Sequence, residues 1–139
     1  MKTILACFAL AAVAVATSAR ADDPQAGLYT IKAEAAVGVG AGQTIALIIT
    51  PAAGYKWNKD YPAKAQVPNG GKIEFAKAQF TKAEGDITGD DHGGKIVLKG
   101  TGKAAGTETL EATLSFSLCN EETCQVLRQR PYPLAVTVK

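Results

Sequence analysis

The chain has 139 residues, of which 15 are basic and 13 acidic, with 14 glycines, six prolines and three cysteines. This near-balance of charge argues against nucleic acid or an anionic membrane as the partner, because both require an excess of basic residues. The length suffices for one ordinary domain with a two-layer core.

Residues 1–21 have the three parts of a secretory signal peptide. Lys2 supplies the positive start, residues 4–16 form an apolar run, and residues 19–21 (Ala-Arg-Ala) match a cleavage site. The apolar run is shorter than the roughly 20 residues of a membrane-spanning helix, which favours cleavage over a retained anchor. We therefore expect a mature chain, residues 22–139, without membrane insertion and with 13 basic and 13 acidic residues.

The signal peptide also predicts the compartment. Its single lysine and alanine-rich core are typical of bacterial export, so the periplasm is the expected location, with secretion as the alternative. Both settings are oxidising, and a cysteine pair there tends to be bridged. Of the three cysteines, Cys7 lies inside the signal peptide, which leaves Cys119 and Cys124 in the mature chain.

Beyond the signal peptide the sequence shows strand patterns and almost no helical periodicity. The predicted strands lie, in chain order, at 28–37, 43–50, 72–80, 95–99, 107–119 and 124–139. Clusters of Gly, Asn and Asp occur between them, at 38–42, 68–71, 89–94 and 100–106. Short strands separated by turn residues predict an all-β fold, and we expect residues 22–139 to form a single antiparallel β-sandwich domain.

The loop Gly54–Pro62 (GYKWNKDYP) concentrates the single tryptophan and two of the four tyrosines, namely Tyr55, Trp57 and Tyr61. Loops with several aromatic residues often cover or bind something. Two interpretations stay open at this point. Either Trp57 and Tyr61 turn inward and close one end of the sandwich, or the loop shields or presents the cysteine pair.

The stretch Gly89–His92 (GDDH) offers three potential metal ligands in a row, including the single histidine. Adjacent side chains in one turn rarely converge on one ion, so a solvated turn is the favoured interpretation. The sequence shows no identifiable Ser-His-Asp or Cys-His arrangement for hydrolysis or acyl transfer. We expect neither a metal nor a cofactor.

The clearest predicted strand ends at a cysteine. A turn through residues 120–123 opposes Cys119 and Cys124 at a distance that a disulfide tolerates. The same register pairs Phe116 with Leu127. Alternation places Cys119 on the outer, polar face together with Val126, Arg128 and Arg130, and five apolar residues on the inner face: Leu110, Ala112, Leu114, Phe116 and Leu118.

The role of this disulfide is open between a structural cross-link and a reactive group. Its loop of about six residues yields only about 2 kcal/mol in the chain-entropy model. An accessible disulfide also exchanges readily. Glu121 and Glu122 raise the pKa of the adjacent thiols, although Arg128 and Arg130 offset part of this, so the pair suits attack by a partner better than attack on one. Two cysteines lack the third and fourth ligands of a zinc site.

Two motifs together, Gly54–Pro62 and Phe116–Cys124 (FSLCNEETC), resemble the N-terminal periplasmic domain of the thiol:disulfide interchange protein DsbD and small exported proteins related to it. The resemblance implies an immunoglobulin-like sandwich in which Cys119 and Cys124 are the catalytic redox pair. It implies that Tyr55, Trp57 and Tyr61 correspond approximately to a cap loop that shields the pair until a partner docks. The implied partners are thioredoxin-fold periplasmic proteins and a DsbD-like membrane protein.

The chain departs from the DsbD pattern in two respects. DsbD has one more residue between its cysteines, and it continues into a membrane domain and a thioredoxin-like domain, whereas this chain ends at Lys139. Without those domains the chain is not a complete reductant relay, and we expect a redox carrier that acts as a thiol–disulfide oxidoreductase only together with partner proteins. The expected oligomeric state is a monomer. The alternative is a non-catalytic binding or structural sandwich with a structural disulfide and an aromatic contact loop.

Overall fold

The computed structural model describes residues 25–34, 36–37, 42–69 and 71–139. The predicted signal peptide with Cys7, the expected mature start at residue 22 and most of the glycine cluster at 38–42 lie outside these residues. Within the described part of the chain, no helix is long and apolar enough to cross a membrane.

The described residues form strands, preceded by a one-turn 3-10 helix (Ala26–Leu28). In chain order the strands are β1 (Tyr29–Glu34), β2 (Ala36–Val37), β3 (Gly42–Pro51), β4 (Lys56–Trp57), β5 (Lys64–Gln66), β6 (Ile73–Phe75), β7 (Gln79–Thr81), β8 (Ile87–Asp90), β9 (Gly93–Gly102), β10 (Gly106–Cys119) and β11 (Cys124–Val138).

These strands form two sheets that pack face to face. The first has the order β1-β3-β9, with β6 and β8 both paired to β9; the second has the order β2-β11-β10-β5-β7, with β4 also paired to β10. Paired strands are antiparallel except β2 and β11, which are parallel. The orders β1-β3-β9-β8 and β5-β10-β11 correspond to the two sheets of an immunoglobulin domain. The immunoglobulin-like β-sandwich is therefore confirmed.

The core lies between the two sheets and follows the alternation of the long strands. On β10 the inner-face residues predicted from the sequence are buried from Ala112 to Leu118, and Leu110 is half-buried. Burial of one large aliphatic side chain contributes about 1.5–3 kcal/mol, so this core is the main source of stability. The other fully or nearly fully buried residues of the long strands are Ile45, Leu47, Ile49, Ile96, Leu98, Leu127, Leu134, Val136 and Val138.

Three of the predicted strands differ from the structure. The segment 28–37 is divided between β1 and β2, which belong to different sheets. The segment 72–80 is not one strand but two, β6 and β7, which belong to different sheets. Strand β9 runs from Gly93 to Gly102, so its terminal glycines are strand residues and not turn residues. At Gly100 a Cβ atom would lie 3.1 Å from the carbonyl oxygen of Glu74. Glycine is needed here because two backbones approach each other closely, and not because the chain turns.

A β-bulge in β11 changes which of its side chains face the core. Phe116 pairs with Leu127 as predicted, but Leu114 pairs with Arg130, so β11 has one extra residue between these pairs. Gln129 has a φ of 49°, and its N–H donates to the Ser115 hydroxyl at 3.0 Å. Because one extra residue exchanges the two faces, Arg130 lies on the Leu114 side of the sheet, and its predicted outer placement is wrong.

Asp86 is a nearly buried charge, 8% exposed, just before β8. Its carboxylate accepts hydrogen bonds from the Lys77 ammonium at 2.6 Å and from the Thr81 N–H at 3.1 Å. Burial raises the pKa of Asp86, but the hydrogen bonds from Lys77 and Thr81 outweigh it and hold the pKa below its ordinary value. A carboxylate with a lowered pKa stabilises the fold above its unfolded-state pKa and loses this contribution as the pH falls through its folded-state pKa.

We therefore expect Asp86→Asn to lower the free energy of unfolding by about 1–3 kcal/mol at pH 7, because the Lys77 ammonium and the Thr81 N–H lose a charged acceptor. Urea denaturation checks this. The difference from wild type should shrink below about pH 4 as the wild-type carboxyl protonates. The exposed Glu84 also pairs with Lys77, at 3.0 Å, so Glu84→Gln is the matched control with little expected effect. A difference between Asp86→Asn and wild type that persists unchanged at pH 2 would contradict this account.

Candidate functional site at the disulfide hairpin

Cys119 and Cys124 form a disulfide across the tip of the β10–β11 hairpin. They are direct cross-strand partners with Cα atoms 3.9 Å apart. The next pair outward is hydrogen bonded, since the Asn120 N–H donates to the Thr123 carbonyl at 2.9 Å. The cysteines therefore occupy a non-hydrogen-bonded pair, in which side chains lie closest together. The cysteine opposition predicted from the sequence is confirmed.

The turn between the cysteines is fixed by the side chain of Asn120. Its Oδ1 accepts hydrogen bonds from the N–H groups of Glu122 at 2.9 Å and Thr123 at 2.7 Å. Glu121 and Glu122 are the two central residues of this turn, and both are exposed. The hairpin tip is thus held by local hydrogen bonds as well as by the disulfide.

The two cysteines differ in accessibility. Cys124 is exposed, whereas Cys119 is half-buried.

The outer face of β10 is also less exposed than the alternation predicts, because Ser115 and Ser117 are 4% and 1% exposed. The Asn58 N–H donates to the Ser117 carbonyl at 2.9 Å, and the Asn58 side-chain amide donates to the Ser117 hydroxyl at 3.3 Å. The loop after β4 therefore covers β10 two residues before Cys119.

Strand β4 brings the aromatic motif to the disulfide. Trp57 pairs with Leu118, and Lys56 pairs with Cys119. The two motifs on which the resemblance rests are therefore neighbours in the second sheet, although about 60 residues separate them in the sequence.

Trp57 itself turns inward, which is the first of the two interpretations of this loop. It is 4% exposed, and its indole stacks on Phe116 with ring centroids 5.5 Å apart and planes 13° apart. On the opposite sheet it packs against Gly94 and Gly89, where any Cβ atom would collide with the ring. Trp57 thus fills the end of the core beneath the disulfide hairpin.

Tyr55 and Tyr61, the other aromatic residues of the loop, are half-buried and pack against the same core. Their proposed role as a cap over the cysteines stays a prediction. Of the residues in and next to this loop, Lys56 is in register with Cys119, and Asn58, which follows β4, hydrogen bonds to Ser117.

Lys56 is a candidate site residue that the sequence analysis missed. Its ammonium lies 3.7 Å from Asp91 Oδ2, and the ammonium of Lys59 lies 3.6 Å from Asp91 Oδ1. Alternation around Trp57 indicates that Lys56 points outward, since Trp57 points inward. The pairing with Cys119 depends on long-range strand contacts, so the local sequence does not show it.

The stretch Gly89–His92 belongs to the β8–β9 hairpin, where Asp90 Oδ1 accepts a hydrogen bond from the His92 N–H at 2.8 Å. Among the described residues, no group of three or more His, Cys, Asp or Glu side chains could hold a metal ion. In this turn Asp91 instead pairs with Lys56 of β4 and with Lys59 of the loop that follows β4.

No family model and no curated protein matches this chain. Among solved structures, one of murine CRIg is similar: the alignment has 15% identity, covers 80% of this chain and 98% of that chain, and gives a TM-score of 0.41. A likeness at this level carries no functional argument. The fold assignment therefore rests on the strand order and register described above.

Gly94→Ala tests the position of Trp57. The new methyl carbon would lie 2.5 Å from the indole ring, so the ring must move. We expect a loss of about 1–3 kcal/mol in the free energy of unfolding. We also expect a changed fluorescence emission from the single tryptophan. The control is Gly42→Ala, whose methyl group meets no heavy atom within 4 Å. Unchanged fluorescence and stability in Gly94→Ala would show that Trp57 does not occupy this place.

Proposed function

We propose that this protein is an exported thiol–disulfide exchange module that uses the Cys119–Cys124 disulfide to pass electrons to or from thioredoxin-fold partners. The single observation that carries this proposal is a disulfide at a hairpin tip in which one of the two cysteines, Cys124, is exposed. The resemblance of two motifs to the periplasmic domain of DsbD supports the same role and adds a DsbD-like membrane protein as a second proposed partner. The periplasm remains the proposed location.

The disulfide is poorly placed to hold the fold together. It links two strands that are already paired over their full length, and both cysteines belong to the same sheet. A loop of this size gives only about 2 kcal/mol by the chain-entropy model. We therefore expect the sandwich to stay folded when the disulfide opens, because the core lies between the sheets.

The chemistry begins with attack by a partner thiolate on one sulfur of the disulfide. A bond forms between the partner sulfur and Cys124, the Cys119–Cys124 bond breaks, and its electron pair leaves on Cys119. A second thiolate of the partner then attacks the mixed disulfide and releases Cys124. The partner ends as a disulfide and this protein as a dithiol, so two electrons have moved; the reverse sequence returns them.

Cys124 is the sulfur that we assign to the mixed disulfide, because it is exposed while Cys119 is half-buried. Tyr55 and Tyr61, which are half-buried close to this end of the sandwich, are assigned to the partner-facing surface. Trp57 acts indirectly in this proposal, by fixing β4 against β10.

The alternative is a non-catalytic binding sandwich with a structural disulfide and the aromatic loop as contact surface. Burial of Trp57 weakens this alternative, because interface energy is usually carried by aromatic residues that a partner can reach. The reduction potential separates the two functions.

The reduction potential of the disulfide is expected to lie above about −300 mV, because structural disulfides of exported proteins usually lie below that value. Equilibration with dithiothreitol or glutathione buffers, followed by quantification of free thiols, measures it. A potential well below about −300 mV would identify a structural cross-link and contradict the exchange function.

Trapping of partners distinguishes the two cysteines. Cys119→Ser leaves the exposed Cys124 thiol and should accumulate a mixed disulfide with a thioredoxin-fold protein in cells that export the chain. Cys124→Ser is the matched control and should accumulate much less, because Cys119 is half-buried. Mass spectrometry of disulfide-linked species identifies the partner. Equal trapping by both variants would contradict the assignment of Cys124, and trapping by neither would contradict exchange.

A further inference from the structure

Lys56, Cys119 and Cys124 lie side by side across three neighbouring strands. Lys56 of β4 is the direct partner of Cys119 on β10, and Cys119 is the direct partner of Cys124 on β11. Directly paired residues of antiparallel strands place their side chains on the same face, with Cβ atoms about 4.5–5.5 Å apart. Lys56 is therefore one strand from Cys119, and it is two strands, or about 10 Å, from Cys124.

Charged groups from several elements surround this row. Glu121 and Glu122 are exposed at the hairpin tip, and Arg128 is exposed further along the outer face of β11. From the β8–β9 turn, Asp91 pairs with both Lys56 and Lys59. Of the cationic groups named here, only Lys56 lies in register with a cysteine.

We propose that Lys56 is a positioning residue of the exchange reaction, whose ammonium stabilises the thiolate that Cys119 becomes when a partner attacks Cys124. This inference rests on the exchange function proposed above. Lys56 would thereby favour Cys119 over Cys124 as the leaving group. A thiolate is stabilised by a neighbouring lysine, and a leaving thiol with a lower pKa leaves faster.

The charge balance at the site changes when the disulfide opens. In the closed disulfide the Cys119 sulfur carries no charge, and Asp91 is the partner of the Lys56 ammonium. The Lys56 side chain is 67% exposed and has a flexible four-carbon stem, so the ammonium can move toward a new anion without displacing core residues. Attack at Cys124 places that new negative charge on Cys119, on the adjacent strand, and no proton transfer is required in the step.

The test measures ionisation of the Cys119 thiol without any partner. In the reduced Cys124→Ser protein, the rate of alkylation of Cys119 by iodoacetamide is followed against pH by mass spectrometry of the Cys119 peptide. We expect Lys56→Gln to raise the apparent pKa of this thiol by about 0.5–1 unit, which lowers the thiolate fraction near pH 7 about three- to tenfold and slows alkylation. Salt at 1 M should reduce the difference, because it shortens the screening length to about 3 Å.

Lys59→Gln is the matched control. This substitution also removes one lysine charge that pairs with Asp91, but Lys59 is not in register with a cysteine. We expect it to leave the thiol pKa almost unchanged, and Lys56→Arg, which keeps the positive charge, to behave like wild type. Tryptophan fluorescence verifies that each variant is folded, since Trp57 is the neighbour of Lys56 in β4.

The proposal is overturned if Lys56→Gln leaves the thiol pKa unchanged, or if Lys59→Gln shifts it equally, which would indicate only the general field of the surface. Failure of the exchange function has a different signature, because it appears as the absence of trapped partners with Cys119→Ser. The alkylation profile requires no partner, so each result can be obtained without the other.

Discussion

The contact between Trp57 and the two sheets is the constraint on which the candidate site depends. The indole stacks on Phe116 of the second sheet and fills the space left by Gly89 and Gly94 of the first. This places the two-residue strand β4 beside the end of β10, in a register that aligns Lys56 with Cys119. A short strand is weak by itself, since it offers few hydrogen bonds. Burial of one large aromatic side chain therefore determines which polar residues surround the disulfide.

The hairpin tip is organised by different forces. Local hydrogen bonds of Asn120 fix the turn, and the long antiparallel ladder between β10 and β11 fixes the cysteine pair. The sandwich core lies on the other face of the same strands, where Phe116 and Leu118 are buried. The disulfide and this part of the core thus lie on opposite faces of one sheet. We therefore expect that the disulfide can open without loss of the core, as the proposed exchange function requires.

Much of this arrangement could be predicted from the sequence, because the patterns involved are local. Clean alternation along β10 predicts its buried face, and the distance from Cys119 to Cys124 predicts the tight turn. Beyond Leu127, the face of the sheet that each β11 side chain occupies could not be predicted. The bulge at Gln129 exchanges the two faces, and the polar residues around it do not indicate a bulge. The pairing of Lys56 with Cys119 was also invisible, since it follows from tertiary contacts of Trp57. The sequence pattern predicts a turn role for glycines such as Gly94, whereas in the structure Gly94 makes room for that ring.

The proposed exchange of the Cys119–Cys124 disulfide with thioredoxin-fold proteins is tested most directly by the rate at which such a protein reduces it. The oxidised protein is mixed with reduced thioredoxin, or with dithiothreitol at the same thiol concentration, and free thiols are counted over time. The account predicts that thioredoxin reduces the disulfide much faster than dithiothreitol does, because a docked partner presents its thiolate to Cys124. Reduction by thioredoxin that is no faster than by dithiothreitol would contradict it.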